Sequence, residues 1–98
     1  MKLTTLEEAF RDIAFLCGGV FLLRPADALR FVEEHRVAAI PILGIEGFRV
    51  LEKGRIQPQQ EHTADFEFEG ANTHQEAKRF LEKRLNSGLW FEVVSADR

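Results

Sequence analysis

Apolar side chains recur along this chain at two spacings, and the change from one to the other marks out the elements. Leu6, Ala9, Phe10, Ile13, Ala14 and Cys17 share one helical stripe, with Glu7, Glu8, Arg11 and Asp12 opposite it. Thr5-Leu6-Glu7-Glu8 has the S/T-x-x-E spacing of a capping box, so a first helix is predicted from Thr5 to Cys17, closed by Gly18 and Gly19. Val20 to Leu23 is short and wholly apolar and predicts a brief buried strand. Pro25 fits a first helical position, and the second helix runs to about Arg36. Ala28, Leu29, Phe31, Val32 and His35 lie on one arc of that helix, with Asp27, Arg30, Glu33 and Glu34 on the other.

Val37 to Ile45 is almost continuously apolar, the pattern of a strand shielded on both faces. Strand, helix, strand in that order predicts a parallel pair with a right-handed crossover. Pro41 cannot donate to a sheet ladder, so the strand is expected to bulge or begin there. Gly44 and Gly47 flank Ile45-Glu46 and predict a turn, which places Glu46 on a corner. Phe48 to Leu51, Glu52-Lys53-Gly54 and Arg55 to Gln57 read as a small hairpin, and Pro58 to Glu61 as a polar connection. His62 to Glu69 then alternates strictly, Ala64, Phe66 and Phe68 against Asp65, Glu67 and Glu69. Thr73-His74-Gln75-Glu76 supplies a second capping box for a helix whose buried stripe is Ala77, Phe80, Leu81 and Leu85, ending at Gly88. Leu89 to Val94 alternates again and predicts the last strand.

These elements assemble into one α+β (or α/β) domain covering residues 1–98, since so short a chain encloses a single core. About three helices are expected on a mixed sheet of four to five strands, with β-α-β units flanking a central hairpin.

Composition then narrows the function. A net charge of −3 offers phosphates and anionic lipid no general attraction, so nucleic acid is not an expected partner. The longest apolar run, Ile13 to Leu23, falls well short of the roughly 20 residues needed to span a bilayer, so no membrane is expected. Glu7, Glu8 and Asp12 ahead of that run oppose a signal peptide, despite the small residues around Ala26-Asp27-Ala28. A single cysteine, Cys17, closes no internal disulfide, and the cytoplasm is the expected compartment. Cys17 ends an apolar stripe with no neighbouring base, and no phosphate-binding, dinucleotide or nucleophile-elbow motif is present, so no catalytic residue and no cofactor are assigned.

The side chains left for function are mostly acidic. Glu46 between two glycines is either a partner-accessible carboxylate or a solvated turn tip. Asp65, Glu67 and Glu69 project from one strand face about 7 Å apart, a row suited to a basic partner or, with less support, a hard cation. The plain alternative is a solvated sheet face. His62 and Asp65, three apart on a strand, fall on opposite faces, while His35 completes a helix stripe and His74 stands in a first turn, so no metal site is assigned. Trp90 beside Glu92 is either a core anchor or an interface hot spot.

From Ala28 to Pro58, an amphipathic acidic helix precedes Ile40-Pro41-Ile42-Leu43-Gly44, a carboxylate at Glu46, an aromatic at Phe48 and a turn at Lys53-Gly54. This third of the chain resembles the small acidic immunity proteins of bacterial polymorphic toxin systems. The resemblance implies a non-enzymatic protein that binds a toxin in the same cell. The chain has Ile45-Glu46-Gly47-Phe48 where a second glycine and an aspartate are expected, so no toxin-contacting residue is carried over. The leading reading is a small domain that neutralises a protein partner with a basic surface through Glu46, Phe48, Asp65, Glu67, Glu69 and Trp90. The rival is a ligand-binding domain or enzyme using Glu46 with His62 or Asp65 in a pocket. A third reading is a homodimer formed through an edge strand, with no ligand.

Overall fold

A computed structural model describes residues 2–66 and 73–97. Its order is α1 (Thr5–Ala9), β1 (Phe15–Cys17), β2 (Val20–Leu22), α2 (Pro25–Val37), β3 (Ile42–Val50), β4 (Ile56–Asp65), α3 (Thr73–Glu82) and β5 (Trp90–Ser95), with a 3-10 turn at Arg11–Ile13. The domain is α+β, with three helices and five strands among the described residues, whose pairings are all antiparallel.

The first expectation to change is the first helix. It stops at Ala9, and its capping box begins one residue early: Glu7 N–H donates to Thr4 Oγ1 at 3.1 Å and Thr4 N–H to Glu7 Oε1 at 2.9 Å. Phe15–Cys17 is a strand instead, paired with β2 across a two-residue turn at Gly18-Gly19. Both glycines take left-handed backbone, φ 55° and 84°, the conformation that matches a tight hairpin to strand twist. A Gly-Gly pair stops a helix as readily as it turns a hairpin, and the helical spacing carried on through residues that are in fact extended.

β2 is placed beside β5, through a two-hydrogen-bond bridge between Leu23 and Phe91 of 2.9 and 2.7 Å. β5 lies between β2 and β3, while β3 lies between β5 and β4. Each neighbour is antiparallel, so β2 and β3 run the same way with β5 between them, and β4 and β5 run the same way with β3 between them. The expected β-α-β order therefore holds in direction, but each unit is split by an inserted strand and no parallel pair forms.

β3 begins directly after Pro41, as the missing N–H requires, and Val37 belongs to α2 and is exposed. Gly44 and Gly47 are not turn residues: β3 runs through both without a break. What fixes Gly47 is close approach. A Cβ there would lie 2.7 Å from the His62 carbonyl oxygen and 3.1 Å from the Phe91 ring. The chain turns only at Leu51–Arg55, where the expected hairpin forms with Lys53 and Gly54 at φ 63° and 74°. The stretch from Pro58 to Glu61 is strand rather than connection. β4 pairs Gln59 with Gly47 and Thr63 with Glu46, so three residues, 60–62, bulge between adjacent β3 positions.

α2 and α3 cover one face of the sheet. Phe31, Val32 and Ala28 of α2 and Ala77 and Leu81 of α3 meet Ile42, Ile45, Phe91 and Val93 of the strands in one core. Phe91 has no exposure, and burying a side chain of that size stabilises by roughly 1.5–3 kcal/mol. α1 closes one side through Phe10, whose ring meets that of Phe31 edge-on at 5.1 Å. Thr73 opens α3 with its hydroxyl oxygen accepting from Ile42 N–H at 3.4 Å. Leu85, expected in the buried stripe, lies past the end of α3 and is exposed. No helix among the described residues is long and apolar enough to cross a membrane.

Candidate protein-binding face

Among the described residues no helix lies on the other face of the sheet, and strand register decides what it carries. β3 and β5 are in step from Gly44 to Phe48, so Glu46 stands directly opposite Glu92 and Phe48 opposite Trp90, each pair on the helix-free face. On the other flank of β3, Gly44 pairs with Asp65 and Glu46 with Thr63. The Asp65 carboxylate packs beside Gly44, where an added Cβ would lie 3.2 Å from Oδ1. Glu46, Glu92, Phe48 and Trp90 thus share a surface by register, and Asp65 stands at its β4 edge, where it also lines a groove against α3. Glu67 and Glu69, the rest of the expected acidic row, lie outside the described residues.

Glu46 is half-buried in mid-strand rather than held on a corner, and Asp65 is exposed. Phe48 is only 5% exposed and therefore backs the surface rather than forming it. Phe48 and Leu22 are buried outside the main core. Leu22 pairs with Phe15, and the Phe15 ring meets that of Trp90 at 5.7 Å. These four make a small apolar corner where the β1–β2 hairpin folds against the sheet. Cys17, at the tip of that hairpin, donates from Sγ to the Gly54 carbonyl at 3.2 Å and is a packing residue in a strand, not the end of a helix.

Trp90 is half-buried and carries the Arg24 guanidinium over its ring at 4.4 Å. Such a contact on an exposed surface is worth about 0.5–1 kcal/mol. Arg24 and Phe15 are absent from the sequence-based site. Arg24 reads in sequence as the residue before a helix-starting proline, and only the bridge from Leu23 to Phe91 brings it to Trp90.

The histidines fall elsewhere. His62 sits in the β4 bulge on the helix side of the sheet, where Nδ1 accepts from Arg84 Nε at 3.0 Å. It cannot converge with Glu46, which points from the opposite face. His74 donates from Nε2 to the Ile40 carbonyl at 2.7 Å. His35 is wholly buried and held below the ordinary imidazole range, chiefly by that burial. Among the described residues no three His, Cys, Asp or Glu side chains gather closely enough to hold a metal ion. Three shallow grooves of about 430, 500 and 440 Å³ lie on the surface, and Glu46 lines none of them. The first runs between α2 and α3, where Glu33 is bonded by both Arg36 and Lys78, which hold its carboxyl down to about 2.

Fold and surface together define a small α+β domain with helices on one side of a sheet and a mixed aromatic and acidic face on the other. No known protein-family model matches the chain, and no curated protein matches it either.

Proposed function

We propose that this chain is a small non-enzymatic binding domain that occludes a protein partner with a basic surface, in the manner of an immunity protein, through the helix-free face of its sheet. The observation that supports this most is the register placing Glu46 opposite Glu92 and Phe48 opposite Trp90, with Asp65 on the next strand. Carboxyl groups on neighbouring strands of one face give a cationic partner a complementary surface. The indole of Trp90, with the Arg24 guanidinium over its ring, gives the patch apolar contact area beside the carboxyl groups. In this reading the carboxyl groups steer the encounter and Trp90 anchors it.

The test is capture from the native host with a Glu46→Lys/Asp65→Lys double variant as control. Wild type retains a protein with a basic surface at low ionic strength, while the variant, of unchanged melting temperature, does not. Equal retention by both removes the face from the account.

A further inference from the structure

His35 lies in the last turn of α2 with no exposure, its ring 4.4 Å from that of Phe31. Its Nδ1 is 2.7 Å from the Phe31 carbonyl oxygen. A carbonyl only accepts, so the ring proton is on Nδ1 and Nε2 carries a lone pair. Nε2 is buried and has no hydrogen-bond partner among the described residues. A neutral ring tolerates this, since an unused lone pair costs little beside an unpaired charge.

Three other parts of the chain bring ionisable groups toward the ring: Glu7 from α1, His74 from the first turn of α3, and Asp97 from just past β5. Glu7 is 2% exposed and already accepts Thr4 N–H in the capping box, while His74 is committed to Ile40 through Nε2. None of the three is hydrogen-bonded to Nε2. We propose that His35 is an acid-operated latch: neutral, it lets α1 and the residues after β5 close over the end of α2, and protonation at Nε2 opens that closure.

The opening follows from what a second proton does. It adds an N–H with no acceptor and a positive charge shut away from the surface, at a position where burial outweighs the attraction of Asp97 and Glu7. The least costly relief is to admit solvent, and α1, whose neighbour Phe10 packs edge-on against the Phe31 ring beside His35, is the shortest of the helices there. It has five residues, and Leu6 and Phe10, which join it to the core, are only half-buried. The sign is fixed by the same facts. The unfolded ring takes its proton near the ordinary 6.5 and the folded ring only at lower pH, so the closed state is favoured in full above 6.5. That advantage is lost as pH falls from 6.5 through the folded value.

The experiment is amide hydrogen exchange of Thr5–Ala9 at pH 7.5 and 5.5, corrected for intrinsic exchange, in wild type and His35→Leu. Trp90 emission, from the far face of the sheet, reports whether the whole domain unfolds. The wild type is expected to lose protection in α1 by up to about tenfold, the most that a ring titrating near 6.5 when open can give one pH unit lower, with Trp90 unchanged, and His35→Leu to lose none. Equal loss in both proteins, no loss in wild type, or loss together with the Trp90 signal overturns the latch. If His35→Leu does not fold, the wild-type ring is titrated directly by NMR. A folded-state midpoint at or above 6.5 overturns the proposal, and a lower one that coincides with α1 opening supports it.

Discussion

Two positions show how single residues carry local geometry here. Ala39 follows the end of α2 in left-handed backbone, φ 58°, with Ile40 N–H donating to the His35 carbonyl and Ala39 N–H to that of Arg36. That is a Schellman ending, and its left-handed position ordinarily holds glycine because a Cβ there costs roughly 1–2 kcal/mol. Ala39→Gly is therefore expected to raise stability by about 0.5–1 kcal/mol in denaturant melts, the larger freedom of glycine in the unfolded chain taking back part of the gain. Gly47 is the reverse case. Gly47→Ala drives a methyl against the His62 backbone, and a loss of about 1–3 kcal/mol is expected in the same measurement. Sequence alone predicts a turn at the two glycines, whereas at Gly47 the missing Cβ serves close backbone approach within a continuous strand. Sequence does not foretell that the approach comes from β4, because the three-residue bulge that brings His62 there has no signature in His62's own neighbourhood. Glu46 changed meaning with it, from a corner carboxylate to a mid-strand side chain.

At the scale of elements, legibility followed the number of independent cues. α2 has proline at its first position, a clean apolar arc and basic residues in its last turn, and its limits were read to within a residue. β5 has strict alternation and was read as closely. The chain between Thr5 and Cys17 offered one cue, spacing, and spacing alone does not separate a helix from a short helix followed by a hairpin; Ile13, nominally in the stripe, is 39% exposed. β4 was half-missed because Pro58 and three polar residues look like a loop, although proline sits comfortably on the free edge of an edge strand. Pro58, the bulge and Glu61 are also the features that discourage another chain from pairing there, which counts against edge-strand dimers on that side. The turn after α3 ties the bulge down. The Arg84 guanidinium lies 3.7 Å from the Phe80 ring centre, donates to the Phe80 carbonyl at 2.9 Å and holds His62 through Nε. Arg84→Ala is expected to cost about 1–2 kcal/mol and Arg84→Lys to recover little of it, because a lysine cannot stack and fork at once. Thermal melts of the two variants check this.

For the whole molecule, the decisive fact is the separation of the sheet's two sides. One is filled by α2 and α3 around Phe31 and Phe91, while the other carries Trp90, Glu46, Glu92 and Asp65 with a small apolar corner beneath. Which strand residues face together was partly legible, since alternation separates Asp65 from Phe66 and Trp90 from Phe91. Glu46 is grouped with them by sequence only as a corner carboxylate; that it stands in mid-strand opposite Glu92 is not legible, because strand order is set by long-range pairing that periodicity does not encode. The central claim, that this side is where a partner sits, has a direct probe in the chain's single tryptophan. In a 15N-labelled sample Trp90 gives the one indole N–H signal, and an unlabelled partner contributes none. On saturation with the protein captured from the host, that signal is expected to shift and to lose its exchange with water, in step with backbone signals of Glu46 and Glu92. An indole signal unmoved at saturation, with shifts confined to α2 and α3, contradicts the account.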